Sequence, residues 1–219
     1  MDFMKRLAEN NNREWFEQTR AKYELAKANV ETFADALLVL MRTHDHLENP
    51  SGKKSLFRIY RDVRFSKNKN PYKTHWSGHF TRATKQLRGG YYFHLEPGNS
   101  FLAGGFWNPN PDDLLLVRKD IEAGHEEWRR LLSQPTLKRT FGGLIGDQLA
   151  TAPRGFDKTH PAIDLLRYKQ FLLRHDVSDK MVTSKDFVKH ANEVFMNLRP
   201  FFDLMSDILS SDGNGEYKL

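Results

Sequence analysis

An α+β fold is predicted, with a central antiparallel sheet at about residues 55–107 covered by N-terminal and C-terminal helices. Three observations predict it. Apolar residues recur at helical spacing before residue 43 and again after residue 110. The residues between alternate with period two. Pro97-Gly98-Asn99-Ser100 separates two alternating runs as a four-residue hairpin loop.

The elements follow in order. Asn11 with Glu14 reads as a capping box with Asn in the cap position. Trp15, Tyr23, Ala26, Val30, Phe33, Leu37 and Leu40 or Met41 then mark one face of a helix, or pair of helices, ending near Thr43. His44 to Lys54 is polar, contains Pro50 and Gly52, and reads as a loop. Leu56 to Ser66 reads as a strand. Phe57, Ile59, Val63 and Phe65 share one face, and Arg58, Tyr60, Asp62 and Arg64 share the other. Arg61 falls on the apolar face, where it must either pair with an acid or return to the polar side through a bulge. Ser66–Lys73 reads as a turn or loop, and weaker strand character follows around Gly78–Thr84. Tyr91–Glu96 and Phe101–Trp107 form the hairpin. Tyr92, His94 and Glu96 project on the same side as Phe101, Ala103, Gly105 and Trp107, and the small residues leave room for a groove. Asn110 caps a helix with Pro111 at its first position and Asp112 and Asp113 in its first turn. Gly124 breaks that helix. Lys138–Arg154 reads as irregular or partly helical, Pro161 opens a helix through Phe171, and a last helix from Thr183 or Ser184 is interrupted at Pro200.

Composition sets the wider limits. Hydrophobic residues make up 39% of the 219 residues, enough for a packed core, and no Pro/Gly/Ser-rich linker divides the chain. A single domain over residues 1–209 with a disordered tail at 210–219 is expected. No apolar run approaches the roughly 18–20 residues of a membrane helix. Met1-Asp2-Phe3-Met4-Lys5-Arg6 lacks a signal-peptide core, and there is no cysteine. A cytoplasmic protein without membrane attachment, metal or cofactor is the expectation.

Charge is concentrated in one place. Residues 53–90 carry eleven Lys or Arg and one acid, Asp62, for a net +10, while the other 181 residues are net −4. Aromatic and aliphatic residues are interleaved with these charges, so the segment is structured and should attract an anion. Arg58, Arg64, Lys67, Lys69, Tyr72 and Lys73 are its candidate ligand-binding residues. The alternative is that Arg58, Asp62 and Arg64 are spent in ion pairs. On the hairpin, His94 and Glu96 lie two apart on one strand face and are the candidate catalytic pair for proton transfer, or two ligands of a metal, unless they are an exposed sheet pair beside a structural Trp. Tyr92 and Trp107 beside them supply stacking or shape. Arg154, before a helix start at Thr159 or His160, is a further candidate anion contact, unless that stretch is a plain capped helix entered through a glycine turn. Dinucleotide, Walker, nucleophile-elbow and zincin motifs are missing, as are zinc-finger and RNP patterns.

The chain also resembles a known family. Asn10-Asn11-Asn12-Arg13-Glu14-Trp15-Phe16 is similar to its opening. Its central motif is matched by Ile59-Tyr60-Arg61-Asp62-Val63-Arg64-Phe65-Ser66-Lys67, Lys69 and Pro71-Tyr72-Lys73-Thr74-His75. Gly90-Tyr91-Tyr92-Phe93-His94-Leu95-Glu96-Pro97, Phe141-Gly142-Gly143, Pro153-Arg154-Gly155-Phe156 and His160-Pro161 complete the likeness. The family is the bacterial and fungal domain of unknown function 2461. The likeness covers residues 3–208 and implies one domain, but no activity or catalytic residue. Asn68 stands where the family's Ser-Lys-Asp-Lys run has an acid.

Three functions remain open. The first is binding of a phosphate-rich or polyanionic ligand, either nucleic acid or a phosphorylated metabolite, on a basic aromatic-lined sheet face. The second is an enzyme acting on a phosphorylated small molecule through His94 and Glu96. The third is a module for an acidic protein partner.

Overall fold

The computed structural model describes residues 1–210. In chain order the helices are α1 (Asp2–Glu9), α2 (Arg13–Gln18), α3 (Arg20–Met41), α4 (Gly52–Ser55), α5 (Pro111–Ser133), α6 (Pro135–Phe141), α7 (Ile163–Leu166), α8 (Asp179–Val182), α9 (Phe187–Met196) and α10 (Arg199–Ser210). The strands β1 (Trp76–Thr81), β2 (Gly90–Leu95), β3 (Ser100–Phe106) and β4 (Phe171–Val177) form one antiparallel sheet in that order. The α+β prediction therefore holds. No helix among the described residues is long and apolar enough to cross a membrane.

The chain groups into two compact units, each taken by itself. The first comprises Met1–Thr81, Tyr92–Leu102 and Asp176–Glu193. Its core is aromatic. Phe16 stacks on Tyr72 at 4.1 Å between ring centres, Tyr23 stacks on Trp76, and Phe33 meets Phe93 edge-on and Phe187 face-on. α3 buries Tyr23, Val30, Leu37 and Met41 of the stripe read from the sequence, together with Ala34 and Leu38, while Ala26 and Phe33 are only part-buried. Gly52 lies so close to the backbone of Ala34 and Asp35 that no Cβ would fit, and its N–H donates to Asp35. The hairpin turn closes through Asn99 N–H donating to the Glu96 carbonyl, with Gly98 at φ +76°, where glycine carries no steric penalty.

The second unit comprises Arg82–Tyr91, Ala103–His175 and the residues from Val194 on. Asn110 accepts from the Asp113 amide, and Gly124 leaves helical geometry and kinks α5, both as predicted. Trp128 is fully buried and donates to Asp120 at 2.6 Å, and burial pushes the Asp120 carboxyl up. Arg82, buried under Phe202, donates to Asp203, Ser206 and the Arg88 carbonyl.

Several expectations are corrected. Leu56–Ser66 is not a strand, while Ser66–Lys73 is a loop as read. Two isolated bridges, Leu56 to Gly78 and Tyr60 to Tyr72, are all the pairing this stretch makes. Ile59 is buried, but Phe57 is 50% and Phe65 97% exposed, so the alternating residues do not share one buried face. β1 starts at Trp76, earlier than the strand character read at Gly78–Thr84. The cap of α2 is Asn12, which accepts from Trp15 N–H, and not Asn11. The helix expected from Pro161 to Phe171 is only α7, and Phe171 opens β4. Ser210, placed in the expected tail, ends α10, and the remainder of that tail lies outside the described residues.

Candidate functional site

The site is built on β2 and the residues that flank it, all within the first unit. Alternation buries Tyr91, Phe93 and Leu95 on the core side and turns Tyr92, His94 and Glu96 to the other. The same parity on β1 brings His75 and Ser77 to that side, and on β3 it brings Phe101. His94 lies between two rings, His75 at 4.0 Å and Phe101 at 4.7 Å between centres.

Both imidazole nitrogens of His94 are engaged. Nδ1 shares a hydrogen bond with the Tyr92 hydroxyl at 3.1 Å, and Nε2 shares one with Glu96 Oε2 at 3.2 Å. Glu96 is held further by Thr74, whose hydroxyl donates to Oε1 at 2.7 Å, and by Asn99, which donates to Oε2 at 3.0 Å. Burial would raise the Glu96 carboxyl, but the bonds from Thr74, Asn99 and His94 outweigh it and hold the group below the usual carboxylate range. Burial, then the neighbouring His94, push His75 down to about 4. Burial also raises the Tyr92 phenol, against a hydrogen bond from Ser77. The result is a hydrogen-bonded row, Tyr92 to His94 to Glu96. It can pass a proton between the phenol and the carboxylate through the ring. Sequence spacing could not find His75, since it precedes β1 and reaches His94 only across strands. Its signal was its parity with Ser77.

The cations are distributed unevenly. Lys73 is half-buried over the Phe57 ring at 5.4 Å, and Phe57 lies against Tyr92. Burial, then the charge of Arg58, lower the Lys73 ammonium. Among the described residues no carboxylate forms an ion pair with Arg58 or Lys73. Arg64, by contrast, is neutralised by a two-pronged pair with Asp62, with N–O distances of 3.0 and 2.7 Å. The loop is closed by Arg61, which donates to the Asn70 carbonyl and to Ser66, and by Lys69, which donates to the Val63 carbonyl. Arg61 is therefore neither a paired core arginine nor bulged out of a strand. Lys67 is exposed. Tyr72 is 4% exposed and packs on Phe16, so it anchors the loop and is not open to a ligand.

Trp107 and Arg154 belong to the second unit. Trp107 is 71% exposed and Arg154 is exposed. The expected helix terminus after Arg154 is not free for an anion. α7 has four residues, the Ala162 amide donates to His160 Nδ1, and Thr159 is held by Asp157. A cleft of about 450 Å³ in the first unit opens among Val30, Phe33, Trp76, Leu95, Phe187 and Val188. None of the predicted site residues lines it.

An α+β chain with a basic loop packed against a His–Glu–Tyr row is thus defined. Residues 1–204 match the family model described as conserved hypothetical protein (DUF2461), and the chain belongs to that family. No curated protein and no solved structure matches it.

Proposed function

We propose that this protein binds a small phosphorylated or otherwise anionic ligand at the edge of the His75–His94–Glu96 face. Arg58 and Lys73 are the principal anchors, and His94 with Glu96 is the pair that handles a proton if the ligand is turned over. The observation that supports this reading most is the Arg58–Lys73 pair. Two neighbouring cations, one of them half-buried, form no ion pair among the described residues, since Asp62, the acid that feels Arg58, is in contact with Arg64. An anion there relieves like-charge repulsion and desolvation together. Phe57 and Tyr92 provide the adjoining aromatic wall.

The test is thermal shift against nucleotides and sugar phosphates at low and high salt. A salt-resistant rise with one small compound, lost in Arg58→Ala and Lys73→Ala, is expected. A rise that survives both substitutions would reject these anchors.

Nucleic acid is the second reading, favoured by one observation. Phe65 is 97% exposed between Arg64 and Lys67 on the basic loop, placed to stack on an unpaired base. Phe65→Ala should leave the melting temperature unchanged and weaken salt-sensitive oligonucleotide binding by about five- to tenfold, as one lost stacking contact would. Unchanged oligonucleotide affinity in that variant would reject this reading. An acidic protein partner becomes the better account if neither ligand class binds.

A further inference from the structure

A tight group of donor atoms goes beyond the anion reading. His75, His94 and Glu96 each offer one ligand atom, and these atoms all lie within 4.8 Å of one another. We infer that His75, His94 and Glu96 form a site for one first-row divalent transition-metal ion. Two imidazoles and one carboxylate are a donor set that zinc and ferrous sites share, and three protein ligands leave room for a water or ligand oxygen. His94 Nε2 and Glu96 Oε2 already stand at 3.2 Å. Ligands at about 2.0–2.2 Å from a tetrahedral ion lie roughly 3.4 Å apart. That edge is therefore set, and His75 offers its nitrogen within 4.8 Å of both.

The surroundings argue for a built site. Metal-bound histidines commonly bond through the other ring nitrogen, and bound carboxylates are hydrogen-bonded in turn. Here the other nitrogen of His94 meets the Tyr92 hydroxyl. Glu96 is fixed by Thr74 and Asn99. Phe101 stacks on the far side of His94 and limits its rotation. A hydrogen-bonded pair alone would account for His94 and Glu96. It does not require the second imidazole, His75, whose ring lies 4.0 Å from that of His94.

The site is chemically distinct from the anion anchors, so the two readings fail separately. Chelator-treated full-length protein is titrated with zinc chloride by calorimetry, in buffer without phosphate or nucleotide. Cobalt(II) is titrated in parallel and followed by its visible absorption. One equivalent is expected to bind with a micromolar or tighter Kd, and cobalt should give visible bands of a low-coordinate site. His75→Ala and Glu96→Gln should each weaken zinc at least tenfold with circular dichroism unchanged. Tyr92→Phe, a positioning change, should weaken zinc and alter the cobalt spectrum. The exposed His46→Ala should change neither. His125 and His160, whose rings are 5.3 Å apart, are the competing pair. The inference is overturned if no saturable equivalent binds below 100-fold the expected Kd, or if His125→Ala abolishes binding that His75→Ala and Glu96→Gln leave intact. Should His75→Ala fail to fold, Glu96→Gln and Tyr92→Phe carry the test alone.

Discussion

Replacing Asn11 by Ala should release the basic loop. The Asn11 side chain is a two-way bridge across 61 residues of sequence. Its Nδ2 donates to the Tyr72 carbonyl at 3.0 Å, and its Oδ1 accepts from the Tyr72 N–H at 3.1 Å. Tyr72 is 4% exposed, so water cannot fully replace the lost partners. A net hydrogen bond is worth about 1 kcal/mol, and a stranded buried group costs about 1–3 kcal/mol. Asn11 itself is half-exposed, which places the two bonds at the lower end, near 2–3 kcal/mol together. Urea denaturation measures that loss. Amide exchange locates it, because the Arg61 N–H donates to the Pro71 carbonyl and the Lys73 N–H to the Ile59 carbonyl within the same loop. All three amides, 61, 72 and 73, should lose protection. A cost below about 0.5 kcal/mol with protection intact would refute the reasoning, since it would mean that Phe16 stacking alone holds the loop. Loosening should also weaken anion binding, because Arg58 and Lys73 ride on that loop.

Two further outcomes follow from particular backbones and charges. Gly105→Ala should cost about 3 kcal/mol or more, and Gly98→Ala only about 1 kcal/mol, measured by chemical denaturation. Both have positive φ, but at Gly105 a Cβ collides with the Phe171 carbonyl, and at Gly98 it meets nothing. Asp164 is held below the usual carboxylate range by hydrogen bonds from Arg129, at 2.5 and 2.8 Å. Its contribution is therefore present above the unfolded aspartate value and is lost as pH falls through the lower folded value. Asp164→Asn should lower the melting temperature near neutral pH by an amount equivalent to less than about 1 kcal/mol. The gap to the unsubstituted protein should close as pH falls below about 4. A gap that stays constant down to pH 2 would show that the pair does not stabilise the fold.

The hairpin and the kinked α5 were legible because their signals are local. Pro97-Gly98 can only turn, and Asn110-Pro111 can only start a helix. Leu56–Ser66 was not, because alternation of Phe57, Ile59, Val63 and Phe65 satisfies the period of a strand without supplying a partner strand. Here a few isolated backbone bonds are supplemented by the Asn11, Arg61 and Lys69 side chains, which no period encodes. β4 was hidden because Phe171-Leu172-Leu173 is apolar on both sides, a pattern that helix and buried strand share. At the site, His94 and Glu96 were legible as neighbours on one strand. His75 was not, since the adjacency of β1 and β2 is a tertiary fact.

The buried position of Arg82 changes how the chain's charge should be counted. Arg64, Arg82 and Arg88 each face an acid, namely Asp62, Asp203 and Asp113. Eleven basic residues in the segment less these three leaves eight able to meet an outside polyanion. For a duplex, eight phosphate contacts set a limiting slope of log affinity against log salt of about −7. A steeper slope would require cations from elsewhere in the chain. The sequence overstates the field because three of its charges already face acids within the fold.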